Sequence, residues 1–282
     1  MTAVDRRGPG WAVAPVDDGV SLEYEIAGEG PQLVWCHGLG GCLETERRTM
    51  ELLARDFQVL WFSSRGHGRS TPIVDRERYA YSLFARDLSR LLDHAGWENP
   101  LCAGGSHGAN TLLRHQATHP GRARALCLIA PGGNALRRPE PQVLEGIGTL
   151  IAMASAAGRD GMVQAATGQI PGAPGADQVL IDAVDSCDLE SLAAAMSLVP
   201  DQNAVDAGAL PSFDLPVHVI AWDGDPIIHP IAVARELVSL IPGATFQEIE
   251  RILTLTGEEV ARLGAEVMGT WARGVLAATP TA

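Results

Sequence analysis

The chain contains no lysine: all 21 of its basic side chains are arginine, set against 34 acidic ones for a formal charge of −13. No block of positive charge is present to attract a phosphate backbone. Aromatic residues, at 5%, are too few to suggest a stacking platform for single strands. Nucleic acid is therefore not an expected partner. No apolar run approaches the ~18 residues of a spanning helix, and residues 1–15 lack the apolar core of a signal peptide. The expectation is a cytoplasmic protein that makes no membrane contact. The five cysteines are odd in number and mostly lie inside apolar runs, such as Leu101-Cys102-Ala103 and Leu126-Cys127-Leu128. That usage reads as reduced thiols packed as small hydrophobes, without a disulfide framework.

What is present is 282 residues, 46% of them hydrophobic, enough for one large α/β domain with a buried core or one such domain carrying an insertion. Short apolar runs at 21–26, 32–35, 58–62, 101–103 and 123–130 alternate with helical patterns at 44–56 and 81–95. This alternation predicts a mostly parallel sheet with helices on both faces. Residues 134–210 show several helical stretches, no convincing strand, and a Pro/Gly break at Pro171-Gly172-Ala173-Pro174-Gly175. Strand character returns at 216–222 and 245–249 around an amphipathic segment at 232–241, and a helix at 257–276 closes the chain. The expected division is a core made of residues 1–133 and 211–282, with a helical cap at 134–210. No internal repeat and no low-complexity tract interrupts it.

The strongest chemical signal is Gly104-Gly105-Ser106-His107-Gly108, placed after an apolar strand and before a helical pattern at 109–119. A Gly-x-Ser-x-Gly turn in that context is a nucleophile elbow. The flanking glycines let the chain turn tightly enough for the serine hydroxyl to project from the end of the sheet. A second signal is His37-Gly38-Leu39-Gly40-Gly41, again at the end of a strand. Such a turn presents a backbone N–H to a developing oxyanion. Leu39 is the expected first donor, and His107, next after the serine, the second. The spacing of a dinucleotide fingerprint is absent, and neither cofactor nor metal is expected. Ser64-Arg65-Gly66-His67-Gly68-Arg69-Ser70 reads as a structural turn, with His67 satisfied inside it.

Taken together, these motifs, the helical insertion and the late Val219-Ile220-Ala221-Trp222-Asp223-Gly224-Asp225-Pro226 resemble the α/β-hydrolase family over about residues 18–276. The resemblance implies the α/β-hydrolase fold with an inserted cap. It also implies a catalytic acid just after the late strand, where Asp225 stands. Among family members the cap and the Asp-Pro-Ile loop look most similar to small-molecule esterases, including methylesterases acting on aromatic polyketides. His37, Gly38 and Trp222 are the expected substrate contacts.

One departure matters most. Family members carry the catalytic histidine in a loop after the last strand. Here that loop reads Glu248-Ile249-Glu250-Arg251-Ile252-Leu253-Thr254-Leu255-Thr256-Gly257, and no histidine follows His229. The family position falls at Leu253 or Thr254, neither of which takes a proton from a serine near neutral pH. The leading expectation is therefore a cofactor-independent, non-hydrolytic enzyme of natural-product biosynthesis acting on a bulky apolar carbonyl compound. It would catalyse an addition, elimination, cyclisation or carbon–carbon bond formation through the oxyanion donors, with Ser106 hydrogen-bonding rather than attacking and Asp225 acting as a base or holding a partner such as His229. A second reading is a serine esterase with a relocated histidine, built from Ser106, His229 and Asp225. It requires a His229 nitrogen about 3 Å from the Ser106 hydroxyl. A third is a ligand-binding protein without turnover.

Overall fold

The apolar runs of the first 130 positions all enter one sheet. The computed structural model describes residues 11–138, 141, 144–145, 158–160, 185–198, 203–222, 228–250, 255 and 257–278. Its strands are β1 (Ala12–Asp17), β2 (Val20–Ala27), β3 (Gln32–Cys36), β4 (Gln58–Phe62), β5 (Leu101–Gly105), β6 (Ala125–Ile129), β7 (Val217–Trp222) and β8 (Thr245–Ile249). They lie in the order β1-β2-β4-β3-β5-β6-β7-β8. β1 and β2 pair antiparallel, as do β2 and β4, and every pairing from β4 to β8 is parallel. The helices are α1 (Leu43–Leu53), α2 (Tyr81–Ala95), α3 (His107–Thr118), α4 (Leu189–Met196), α5 (Ile231–Leu240) and α6 (Gly257–Ala278).

The central strands are apolar on both faces because helices cover both. Phe84, Leu88 and Leu91 of α2, Leu112 and Leu113 of α3 and Val233 and Leu237 of α5 pack on one face, against Val34, Cys102, Leu128 and Val219. Leu43 and Met50 of α1 and Met268 and Ala272 of α6 pack on the other, against Leu33, Val59, Ala103 and Cys127. With this arrangement the carboxyl ends of β3, β5 and β7 open at one edge of the sheet, where an open parallel sheet binds its ligand.

Most boundaries match the apolar pattern, and those of β4, β8 and α2 coincide with it. β1 is a strand that the pattern did not announce. It contains Pro15, which withholds a backbone donor, and it is accommodated at the outer edge of the sheet with a register shift between Pro15 and Asp17. The start of α3 also moves two residues forward, so that the helix begins directly after Ser106. Among the described residues no helix is long and apolar enough to cross a membrane, and no group of three or more metal-ligating side chains converges.

Candidate active site

Ser106 sits between β5 and α3 at φ 50° and ψ −111°, one of two non-glycine residues with positive φ among those described. A conformation of this kind costs about 1–3 kcal/mol and persists only where the surroundings over-determine it. Here the surroundings are visible. The Ser106 N–H donates to Ile129 O at 2.9 Å, and the Asn110 N–H donates to Ser106 O at 3.0 Å. The glycines permit the turn by close approach: a Cβ on Gly108 would overlap the Cys36 carbonyl oxygen, and one on Gly104 would stand 2.7 Å from the Gly108 carbonyl carbon. The strained serine is thus fixed against β3 and β6 and held at the mouth of the sheet.

The turn after β3 lies beside it. A Cβ built on Gly38 would come within 3.6 Å of Ser106 Cβ, and the turn closes through Gly41 N–H to Gly38 O at 2.9 Å. His37 is fully buried. Its Nε2 accepts from Ser64 N–H at 2.8 Å, which places the proton on Nδ1, and Nδ1 then donates to Gly38 O at 2.6 Å. Both ring nitrogens are therefore occupied in holding the turn, leaving none for a substrate. Burial first, and then neighbouring His67, hold its pKa down to about 3, so the ring stays neutral. His67 is likewise buried, with Nδ1 2.9 Å from Arg65 O, and burial holds it down to about 4. The His107 side chain turns away from the serine into the core, its ring centroid 4.4 Å from that of Phe84 and 5.4 Å from that of Tyr81. Its place at the start of the 12-residue α3 leaves its backbone N–H among the first, unpaired donors of the helix.

His229 is the residue that meets the serine. Its Nε2 lies 2.8 Å from Ser106 Oγ, across 123 positions of sequence. It stands just before Pro230 and α5, and its ring packs on Trp222 at the end of β7, with centroids 5.7 Å apart. The backbone beside it is anchored, because Gly133 N–H donates to Ile228 O at 2.9 Å. Asp225, Leu253 and Thr254 lie outside the described residues.

Sequence reasoning missed three residues that support this geometry. Asn110 Nδ2 donates to Asn134 Oδ1 at 2.8 Å and to the Tyr81 hydroxyl at 3.2 Å, and Asn134 Nδ2 donates to the same hydroxyl at 3.0 Å. All three side chains are buried, and they fix the segment at 132–134 that reaches Ile228 and hence His229. The available signal was an asparagine four residues after the serine, on the helix face that carries Leu113.

The architecture and the serine elbow define a class, the α/β-hydrolase fold. A family model described as alpha/beta hydrolase fold matches residues 31–164. That match covers just under half of the 282 residues, and the described residues have the α/β-hydrolase fold. Among curated proteins it is 32% identical to the "probable proline iminopeptidase" of Leptolyngbya boryana over 141 residues, 46% of this chain and 42% of that protein. The chain thus spans about two fifths of the length of the curated relatives it matches. Among solved structures, the enol-lactonase of Burkholderia xenovorans LB400 superposes with a TM-score of 0.74 at 22% identity, covering 94% of this chain and 99% of that one. A carboxylesterase of Nitrososphaera gargenis does so with a TM-score of 0.78 at 18% identity, covering 94% and 99%. At these identities the superpositions speak to the fold.

Proposed function

We propose that the protein is a serine esterase in which His229 replaces the histidine that the family carries after its last strand. The observation that carries this reading is the 2.8 Å contact between His229 Nε2 and Ser106 Oγ. A serine hydroxyl becomes an effective nucleophile when a positioned base accepts its proton as it attacks. His229 takes that proton while Ser106 Oγ adds to the ester carbonyl. The backbone N–H groups of Leu39 and His107 receive the oxyanion, and His229 then returns the proton to the departing alkoxide. Water attacks the resulting acyl-enzyme by the same route in reverse. Asp225 is assigned to orient the imidazole from the other side. The substrate is a small apolar ester or lactone, the class suggested by the structural neighbours that are named lactonase and carboxylesterase.

The test uses a fluorophosphonate probe and a panel of aryl esters on the native protein and on Ser106→Ala and His229→Ala. Labelling and turnover in the native protein that are lost in both variants support the reading. Labelling that survives in His229→Ala would sink it. No labelling and no turnover in the native protein would favour the non-hydrolytic reading, in which Ser106 only hydrogen-bonds a carbonyl substrate undergoing addition or cyclisation.

A further inference from the structure

The sheet has two edges, and they differ. β1 forms one of them and carries Pro15 together with the register shift between Pro15 and Asp17. Both features hinder a further strand from pairing there. β8 forms the other edge and pairs with β7, in a register that is unbroken over all five of its residues. Thr245-Phe246-Gln247-Glu248-Ile249 contains neither proline nor glycine. Thr245, Gln247 and Glu248 are exposed, and among the described residues no strand pairs with the outer side of β8. Its outward N–H and C=O groups are thus free to form a ladder with another strand.

The side chains of β8 select that strand. Phe246 and Glu248 share the face covered by α5, where Arg235 lies over the Phe246 ring, 5.8 Å from its centroid, and donates from Nη2 to Glu248 Oε2 at 3.1 Å. Thr245 and Gln247 share the other face, with Thr245 Oγ1 2.7 Å from His218 Nδ1 and Gln247 Oε1 3.3 Å from His218 Nε2. Directly opposed residues of an antiparallel ladder point to the same face. When β8 meets a second β8 across a two-fold axis, the axis therefore passes through a residue. An axis at Glu248 sets two carboxylates against each other. An axis at Phe246 carries Glu248 and Ile249 beyond the facing strand. An axis at Gln247 opposes all five residues: Gln247 meets its own copy, Thr245 meets Ile249, and Phe246 meets the partner's Glu248. That carboxylate then lies beside the ring on which Arg235 rests. Arg235 is largely exposed and has donors to spare, so the two arginines and two glutamates of this face complement one another across the axis. Ala232 and Ser239, a turn away from Arg235 on either side, are small and exposed, which lets the two α5 helices approach over the shared ladder.

We propose that the protein associates as a two-fold dimer by antiparallel pairing of β8 with β8 of a second copy about an axis at Gln247, joining two eight-stranded sheets into one.

Sedimentation equilibrium of the full-length protein from about 1 to 100 µM tests this. The native protein is expected to reach twice the mass of one chain within that range. Gln247→Glu and Gln247→Lys each set like charges against each other at the axis, and each is expected to raise the dissociation constant about tenfold or more. An equimolar mixture of the two variants is expected to return it close to the native value, because a carboxylate of one copy then faces an ammonium of the other. Gln247 is exposed, so both variants are expected to melt with the native protein. A native protein that stays monomeric throughout overturns the proposal and leaves the edge to a strand from a different protein. A dimer that both variants form as tightly as the native chain also overturns it, since the copies then meet elsewhere. Variants that dissociate singly and do not recover on mixing exclude the axis at Gln247.

Discussion

His229 Nε2 reaches Ser106 Oγ at 2.8 Å from a loop that precedes α5. The two side chains are therefore set by two strands of the same parallel sheet, β5 and β7, which precede them in sequence. Because β6 lies between these strands, whatever fixes the end of β6 also fixes the distance between the two groups.

The two side chains should behave as one unit. Ser106→Ala and His229→Ala are each expected to lower kcat/KM for an aryl ester by about 10³-fold or more, and the double variant by no more than the worse single one. Steady-state kinetics on the three variants decides it. A double variant slower by the product of the two single losses means that the residues act independently, and His229 is then not the base for Ser106.

The Asn110–Tyr81–Asn134 cluster should govern position rather than chemistry. Asn134→Ala leaves the Tyr81 hydroxyl and the Asn110 amide short of partners in a buried site, a cost of about 1–3 kcal/mol. It also loosens the 132–134 segment that hydrogen-bonds Ile228. The expected outcome is a lower melting temperature together with a fall of about tenfold in kcat at nearly unchanged KM. Should kcat fall no further than the loss of folded protein explains, the cluster is part of the core and does not position His229.

How far the sequence discloses this site depends on the range over which each part is encoded. Ser106 is legible because its strained backbone requires glycines two residues away on both sides, and so leaves a local signature. The sheet is legible for the same reason: β4 and β8 are compact apolar or alternating runs with clear ends. β1 is hidden because Pro15 argues against a strand until the edge position that tolerates it is known. His229 could be named as a candidate but not assigned. Its distance from the serine depends on a chain of contacts from Tyr81 through Asn134 and Gly133 to Ile228, spread over three separate stretches of sequence. Asn110 looks like any polar residue of an amphipathic helix, and only the packed structure shows that its face is buried.

Arg65 and Asp87 offer a separate test of what holds the turn at 64–70. The guanidinium is fully buried and bidentate on the carboxylate, with Nε to Oδ2 at 2.6 Å and Nη2 to Oδ1 at 2.7 Å, and its Nη1 donates to Arg78 O at 2.8 Å. Arg65→Met strands a buried carboxylate and should cost about 3–5 kcal/mol by denaturant unfolding. Combining it with Asp87→Leu should recover a sizeable part of that loss, since no unpaired charge is then left inside. Recovery of nothing would show that the Arg65 bond to the Arg78 carbonyl carries the stability, rather than the ion pair.

Glu46 makes stability depend on pH in a direction opposite to that of a surface carboxylate. Its Oε2 accepts from Trp35 Nε1 at 2.9 Å, on α1 and close to the turn that faces Ser106. Burial raises its carboxyl from an ordinary 4.5 to about 7, against the lowering effect of the Trp35 hydrogen bond. Between those two values the folded chain holds a proton that the unfolded chain has released, so stability falls as pH rises through the interval and levels off above it. Glu46→Gln keeps an acceptor for Trp35 and carries no charge. The variant and the native protein should therefore melt together near pH 4, and the variant should melt at a higher temperature by pH 8, with the gap opening between pH 5 and 7. Shared contributions from the other carboxylates cancel in that difference. Melting temperatures that differ by the same amount at every pH would mean that the native carboxyl is already ionised in the folded protein at pH 5, and that burial does not control it.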